Sequence, residues 1–374
     1  MRLEKLHLVN FKNYADAEVN LTGSIHCFLG KNGSGKTNLL EAIHYLCFTK
    51  GSLYANDIAS VRHGQSQFVV NGLFDKNGKQ MEICCSFSPD QKKSVTENSK
   101  TYSRFSEHIG KYPLVLVAPN DIELIWNGGE VRRKFLDTLL AQVDKEYLEN
   151  LITYQAHLRQ RNGSLKMMAE QGSGDPDLLE LYNEKMAVAG MVLHLKRAAF
   201  IKEYLPLVSG RYDFLASGQS EEVGITYHSD LEGLDFKKEL NANMHRDIAA
   251  GRTTLGVHRD DYLFTLKGHA LKRFGSQGQQ KSFLIALKLA EFDYLAAKNG
   301  TRPLILLDDI FDKLDDERIL RLLELVTNET FGQVFITDAR PGRSLEVLSH
   351  AGVIAQSFIV EEGNVTPSQP WQLN

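Results

Sequence analysis

An excess of positive charge, paired cysteines and long apolar runs are all missing from this sequence. Its 374 residues carry 43 Lys and Arg against 47 Asp and Glu, a formal net charge of -4, so the chain as a whole does not attract phosphate backbones. Any nucleic-acid contact must therefore use a local surface. Only four cysteines occur, Cys27, Cys47, Cys84 and Cys85, and none has the C-x-x-C spacing of a zinc or redox site, so they read as core or incidental thiols. No apolar stretch approaches the ~18 residues a membrane span needs, and the chain opens on charged residues at Arg2, Glu4 and Lys5. A cytoplasmic protein without a membrane segment is the expectation. No internal repeat or long heptad array is present, which excludes solenoids and extended coiled coils.

What is present is a globular balance, 43% hydrophobic and 24% charged. Single cores stop growing near ~250 residues, so two lobes, or a head with an insertion, are expected. Leu6 and Leu8, then Val19 and Leu21, alternate with polar residues around a turn, and Ile25 to Leu29 reads as a further strand. A helix from Thr37 to Phe48 follows, with Leu40, Ile43 and Cys47 on one face. Phe68 to Val70 and Ile83 to Cys85 form a hairpin around Asp75-Lys76-Asn77-Gly78, the polar run Ser88 to Lys100 reads as a loop, and Leu114 to Val117 is a short strand. From Asp121 the pattern is helical, over 129–142, 145–168 and 177–204, with a break at Gly172 to Pro176. Strands return after Gly251: a hairpin from Tyr262 to Leu271, then buried strands at Leu304 to Leu307 and Val334 to Thr337, with a helix from Gln280 to Lys298 between. The expected division is therefore 1–118, the N-terminal part of an α/β head; 119–250, an all-helical arm lobe; and 251–374, the rest of the head.

Gly30-Lys31-Asn32-Gly33-Ser34-Gly35-Lys36-Thr37 fits G-x-x-x-x-G-K-[ST] and lies between a strand and a helix, as a phosphate-binding loop requires. Gly30, Gly33 and Gly35 let backbone N–H groups curl around phosphate oxygens at a helix N-terminus. Lys36 would reach the β and γ phosphates of ATP, and Thr37 would offer a hydroxyl to Mg²⁺. Leu304 to Leu307 followed by Asp308 and Asp309 has the form of a Walker B strand. Asp308 would hold Mg²⁺ through water, and Asp309 would orient or deprotonate the attacking water.

About thirty residues before Asp308 lies Gly275-Ser276-Gln277-Gly278-Gln279-Gln280, opening a helix. It resembles the ABC signature loop, in which a serine hydroxyl, backbone amides and a helix N-terminus meet the γ-phosphate of ATP held by a second subunit. One chain's phosphate loop and its own signature loop cannot serve the same nucleotide, so ATP would join two chains and hydrolysis would release them. Phe311-Asp312-Lys313-Leu314-Asp315 resembles the D-loop of the same class or simply starts an acidic helix. No histidine follows the last strand; Thr337 or Asp338 would stand in the γ-phosphate-sensing place. The shorter Asp309, where glutamate is more usual, is compatible with slow hydrolysis.

Three further stretches give a likeness that spans nearly the whole chain. They are Leu6 to Tyr14 (LHLVNFKNY), Tyr154 to Asn162 (YQAHLRQRN) and Gly256 to Asp261 (GVHRDD), and with the SQGQQ loop they resemble the RecF family of the SMC/RecF class. The resemblance implies an ABC-type P-loop ATPase head split by a helical arm, with weak ATPase activity used as a switch. It also implies ATP-dependent dimerisation on DNA in recombinational repair, replication restart and SOS induction, with RecR and RecO as partners. His258-Arg259-Asp260-Asp261 is then a family element near the nucleotide or dimer surface, the alternative being a polar strand entry. Arg132, Arg133, Lys134, Arg159 and Arg161 are the DNA-contact candidates, against the plainer reading of solvated helix faces. A transporter subunit or an SMC-like tether are the competing functions. The first would call for a sensing histidine and a shorter helical lobe, the second for long coiled arms with a C-x-x-C hook.

Overall fold

The computed structural model describes residues 1–52, 56–90, 92–172, 175–216, 221–310, 316–327, 331–340, 346–349, 352 and 354–368. In chain order these form β1 (Arg2–Phe11), β2 (Tyr14–Asn20), β3 (Ile25–Leu29), α1 (Lys36–Phe48), β4 (Phe68–Lys76), β5 (Lys79–Ser88), β6 (Lys92–Glu97), β7 (Lys100–Thr101) and β8 (Leu114–Val117). Then come α2 (Glu123–Trp126), α3 (Gly129–Val143), α4 (Lys145–Gln171), α5 (Pro176–Leu215), β9 (Val223–His228), α6 (Phe236–Ala242) and α7 (Met244–Ala250). The chain continues through β10 (Asp261–Leu266), β11 (His269–Ala270), α8 (Leu271–Phe274), α9 (Gln277–Asn299), β12 (Leu304–Leu307), α10 (Asp316–Thr327), β13 (Gln333–Asp338), β14 (Gln356–Glu361) and β15 (Asn364–Pro367).

Two compact units result, residues 1–121 with 284–374, and residues 122–283. The second boundary differs from the expected one at 250: the β10–β11 hairpin and the SQGQQ loop belong with the arm. Strand periodicity had drawn 251–283 toward the head, but β10 pairs with β9 of the arm instead.

The first unit holds two six-stranded sheets. One, ordered β15-β14-β3-β13-β12-β8, is parallel except at β15. Its strands β3, β12 and β13 are buried along their whole length, the pattern of a sheet covered on both faces. The other, β2-β1-β4-β5-β6-β7, is antiparallel, and its alternating burial shows one face packed inward. Between them α1 is buried almost all round, through Leu39, Leu40, Ile43, Tyr45, Leu46 and Phe48. A helix that is apolar on every side belongs in a core, and each such side chain contributes about 1.5–3 kcal/mol on burial. Lys92 to Glu97, read from sequence as loop, is a strand: its polar residues form a ladder with β5, and only Val95 is buried in the core. Cys27, Cys47 and Cys85 are buried and free, and burial pushes the Cys27 thiol up to about 12.

The second unit packs α4 against α5 and adds a three-stranded antiparallel sheet, β11-β10-β9, to the helices expected there. The break between α4 and α5 works as the residue types suggest. Gly172 closes α4 in the left-handed conformation, and Asp175 caps α5, with Pro176 at its first position. Helix α5 runs 40 residues, past the end expected before Pro206. Pro206 is on the exposed face, and the buried Tyr204, Val208, Tyr212 and Leu215 carry the helix through it. No helix among the described residues is long and apolar enough to cross a membrane.

Candidate nucleotide site

The carboxyl ends of β3, β12 and β13 lie side by side in the parallel sheet, and the candidate residues sit at those ends. This is where open α/β sheets bind ligands. The loop from Gly30 to Thr37 joins β3 to α1. Gly33 and Gly35 take positive φ, 81° and 117°, and Gly35 is the N-cap of α1. At Gly30 a Cβ would lie 2.3 Å from the Val360 carbonyl oxygen of β14, so only glycine fits.

The loop is gripped from outside by the LHLVNFKNY stretch. Asn13 donates to the Ser34 carbonyl at 2.9 Å, the Tyr14 hydroxyl donates to the Gly35 carbonyl at 3.0 Å, and Asn38 donates to Asn13 at 2.8 Å. That motif therefore has a mechanical task, which its sequence alone did not disclose.

Lys36 is nearly buried, and its ammonium donates to the Gly30 carbonyl at 2.8 Å and the Lys31 carbonyl at 3.1 Å. The Ser34 hydroxyl is buried without a hydrogen-bond partner. A cation held by neutral carbonyls, an orphaned hydroxyl and a helix N-terminus together fit a phosphate group. Thr37 Oγ1 donates to Asp308, 3.0 Å from Oδ1 and 3.2 Å from Oδ2. This brings a hydroxyl and a carboxylate together, the hard-oxygen pair Mg²⁺ requires.

Thr337, at the end of β13, is buried. Its hydroxyl donates to Asp308 Oδ1 at 2.6 Å and accepts from the Asp309 backbone N–H at 2.9 Å. Both functions of that hydroxyl are thus engaged inside the site. Thr337 thus bridges the two acids. Asp309 itself has φ 45°, a left-handed conformation that costs a β-carbon residue about 1 kcal/mol or more and clusters at functional positions. The D-loop candidate, residues 311–315, lies outside the described residues.

In the second unit, Ser276 and Gln279 form a reciprocal cap at the start of α9. The Gln279 N–H donates to Ser276 Oγ at 3.2 Å, and the Ser276 N–H donates to Gln279 Oε1 at 2.7 Å. Ser276, Gln277 and the neighbouring Phe274 are exposed, while Gly278 and Gln279 are half-buried.

The DNA-contact candidates divide. Arg161 is wholly buried: it pairs with Asp247 at 2.7 Å and donates to Asn183 and Thr253. Arg132 is buried too, forming a bidentate pair with Asp261 at 2.8 and 2.9 Å. Arg133 is half-buried and donates to the Asp260 carbonyl. Arg132 and Arg161 are therefore structural, a correction to the sequence reading, while Lys134 and Arg159 remain exposed. Helix periodicity could not separate them, because buried arginines on α3 and α4 find acids from distant segments. The GVHRDD stretch supplies the acid for Arg132, Asp261, and a second acid, Asp260, that accepts from the buried Arg197 of α5 at 2.8 Å, while its His258 meets Tyr154 at 2.8 Å. Burial lowers the His258 pKa to about 4, so its ring is neutral. The stretch is the arm's internal ion lock.

Known proteins are similar to this chain over nearly its whole length. Residues 2–360 match the family described as RecF/RecN/SMC N terminal domain. The DNA replication and repair protein RecF of Flavobacterium johnsoniae is 43% identical over 92% of this chain and 96% of its own, and that of Cytophaga hutchinsonii is 41% identical over 100% and 98%. Among solved structures, the recombination mediator protein RecF with ATPrS in the RecFOR pathway superposes with TM-score 0.87 at 27% identity, covering 98% of both chains. An Smc head bound to the C-winged helix domain of ScpA shares the fold, with TM-score 0.57 at 13% identity over 98% of this chain and 97% of its own. The chain belongs to the RecF family of DNA replication and repair proteins.

Proposed function

We propose that this chain is an ATP-switched DNA clamp of recombinational repair, replication restart and SOS induction, working in the cytoplasm with RecR and RecO. ATP binding drives two copies together on DNA, and slow hydrolysis separates them. The observation that carries this reading is the cluster of Lys36, Thr37, Asp308 and Thr337 at the carboxyl edge of the sheet, which fits a nucleotide triphosphate with its cation. Solved RecF structures with ATP and ATPrS support it.

Within the site, Lys36 exchanges its two carbonyl partners for phosphate oxygens, and the loop amides from Gly30 to Thr37 surround them. Thr37 and Asp308 would hold Mg²⁺, which supplies charge neutralisation across the phosphates. Thr337 keeps the Asp308 carboxylate turned toward Thr37 and fixes the Asp309 backbone. Asp309 then orients water for attack, its shorter side chain favouring slow turnover. The signature loop would meet the γ-phosphate held by a second copy, a reading supported by the exposure of Ser276 on a capped helix N-terminus. Lys134 and Arg159 are the retained DNA contacts, and binding through them is backbone-driven and weakens with salt.

The test measures dimer fraction with ATP on gapped, single-stranded and duplex DNA at two salt concentrations. Lys36→Met should abolish nucleotide binding. Ser276→Arg should keep nucleotide binding and lose dimerisation; dimerisation at the parent level would remove the signature-loop assignment.

A further inference from the structure

A buried carboxylate outside the nucleotide residues reaches directly into the signature loop. Glu221 lies on the segment entering β9 and is 9% exposed. Its Oε1 accepts from Gln279 Nε2 at 2.8 Å and pairs with Lys267 of the β10–β11 turn at 3.1 Å. Its Oε2 accepts from the Tyr212 hydroxyl, in the last turn of α5, at 2.7 Å. Gln279 thus uses both ends of its amide internally: Oε1 caps Ser276 and Nε2 holds Glu221. Each end of the amide thus commits a hydrogen bond inside the unit.

The consequence is mechanical. The orientation of Ser276 depends on the Gln279 side chain, the side chain on Glu221, and Glu221 on the far end of the 40-residue helix α5. A carboxylate that receives hydrogen bonds from three elements of one unit is a junction, and a charge-assisted hydrogen bond is about twice as strong as a neutral one. Rotating the end of α5 relative to the hairpin therefore turns the loop, or frees it.

We propose that Glu221 is a positioning residue for the signature loop, acting through Gln279, and that it makes ATP-dependent pairing of two copies responsive to the arm. The inference rests on the signature-loop reading above and names its regulation. It requires that the contact, and not the mere presence of a glutamate, sets pairing.

Three variants separate the possibilities. Gln279→Glu keeps the Ser276 cap, since a carboxylate accepts the same N–H, but sets a like charge against Glu221. Glu221→Ala removes the anchor. The double variant Glu221→Gln with Gln279→Glu reverses donor and acceptor and keeps one negative charge at the junction. The readouts are the dimer dissociation constant with ATP, the affinity of the monomer for a fluorescent ATP analogue, and the melting temperature. Each single variant should weaken pairing by about tenfold or more, the factor implied by losing a hydrogen bond to a charged group. Monomer nucleotide affinity should stay within about twofold, a change worth only a fraction of a kcal/mol. The double variant should pair within about threefold of the parent. A merely structural Glu221 would lower the melting temperature without this pattern of rescue. Parent-like pairing by both single variants overturns the inference while leaving the clamp reading intact. A double variant as weak as the singles also overturns it, because Gln279 would then act on the partner directly. A parent that does not pair with ATP overturns both readings.

Discussion

Replacing Arg161 with leucine distinguishes a structural arginine from a DNA contact. The guanidinium is fully buried and faces Asp247, which is equally buried. After substitution, Asp247 keeps Thr254, whose N–H and hydroxyl donate to Oδ1 at 2.9 and 2.6 Å, but Oδ2 loses its donor. Asn183 Oδ1 loses its donor at 2.6 Å as well. Removing one partner of a buried ion pair costs about 3–5 kcal/mol, mostly because a desolvated charge is left uncompensated. For a unit of this size that lowers the melting temperature by roughly 10 °C, at about 2–4 °C per kcal/mol. Circular dichroism measures the melt, and hydrogen exchange should place the loosening on α4, α5 and α7. The double variant Arg161→Leu with Asp247→Leu should recover much of the loss, because apolar replacement of a whole buried pair is often neutral or better. Arg159→Ala on the exposed side of the same helix should leave the melt unchanged and reduce the salt dependence of DNA binding by about one phosphate contact. The reasoning is refuted if Arg161→Leu melts with the parent yet lowers that salt slope.

Thr337→Val removes the hydroxyl shared by Asp308 and Asp309; steady-state phosphate release should fall about tenfold or more, with nucleotide affinity within about threefold by titration, since one buried hydrogen-bonding group is worth about 1–3 kcal/mol. Gly30→Ala should abolish nucleotide binding in a calorimetric titration, because the new Cβ would meet backbone of β14 that cannot rotate away. Glu291, buried on α9 beside Lys288, has its pKa raised by burial to about 7. Between about pH 4.5 and 7 the unfolded chain releases that proton while the folded one keeps it, so stability falls as pH rises through this window and levels off above it. Glu291→Gln should remove the decline, raising stability at pH 8 by on the order of 3 kcal/mol and leaving it unchanged at pH 4, as urea melts at the two pH values would show.

The loop between β3 and α1, the paired acids after β12 and the helix start at Ser276 stand on the elements expected of them because each is a short run of fixed residue types at fixed spacing. The buried strands β3, β12 and β13 were legible for the same local reason, as continuous apolar runs between turns. What stayed hidden was decided by long-range partners. Lys92 to Glu97 looks like a loop because this strand, near the end of its sheet, buries only one residue, Val95. Arg161 looks like a DNA contact because the acid it meets lies 86 positions away. Tyr262 to Leu266 looks like head because alternation reveals a strand but not the strand it pairs with.

The SQGQQ run shows how far a motif carries by itself. Its serine and its second glutamine stand three apart before an apolar helix, which is the spacing of a reciprocal N-cap, so part of the motif exists to hold the helix start. A plain cap would be satisfied by Gln279 Oε1 alone. The amide's other end instead meets Glu221, and a glutamate in this place would put two carboxylates together. Glutamine is therefore the side chain that can both cap Ser276 and bind the arm, and glutamate, an equally good cap, should separate those two tasks.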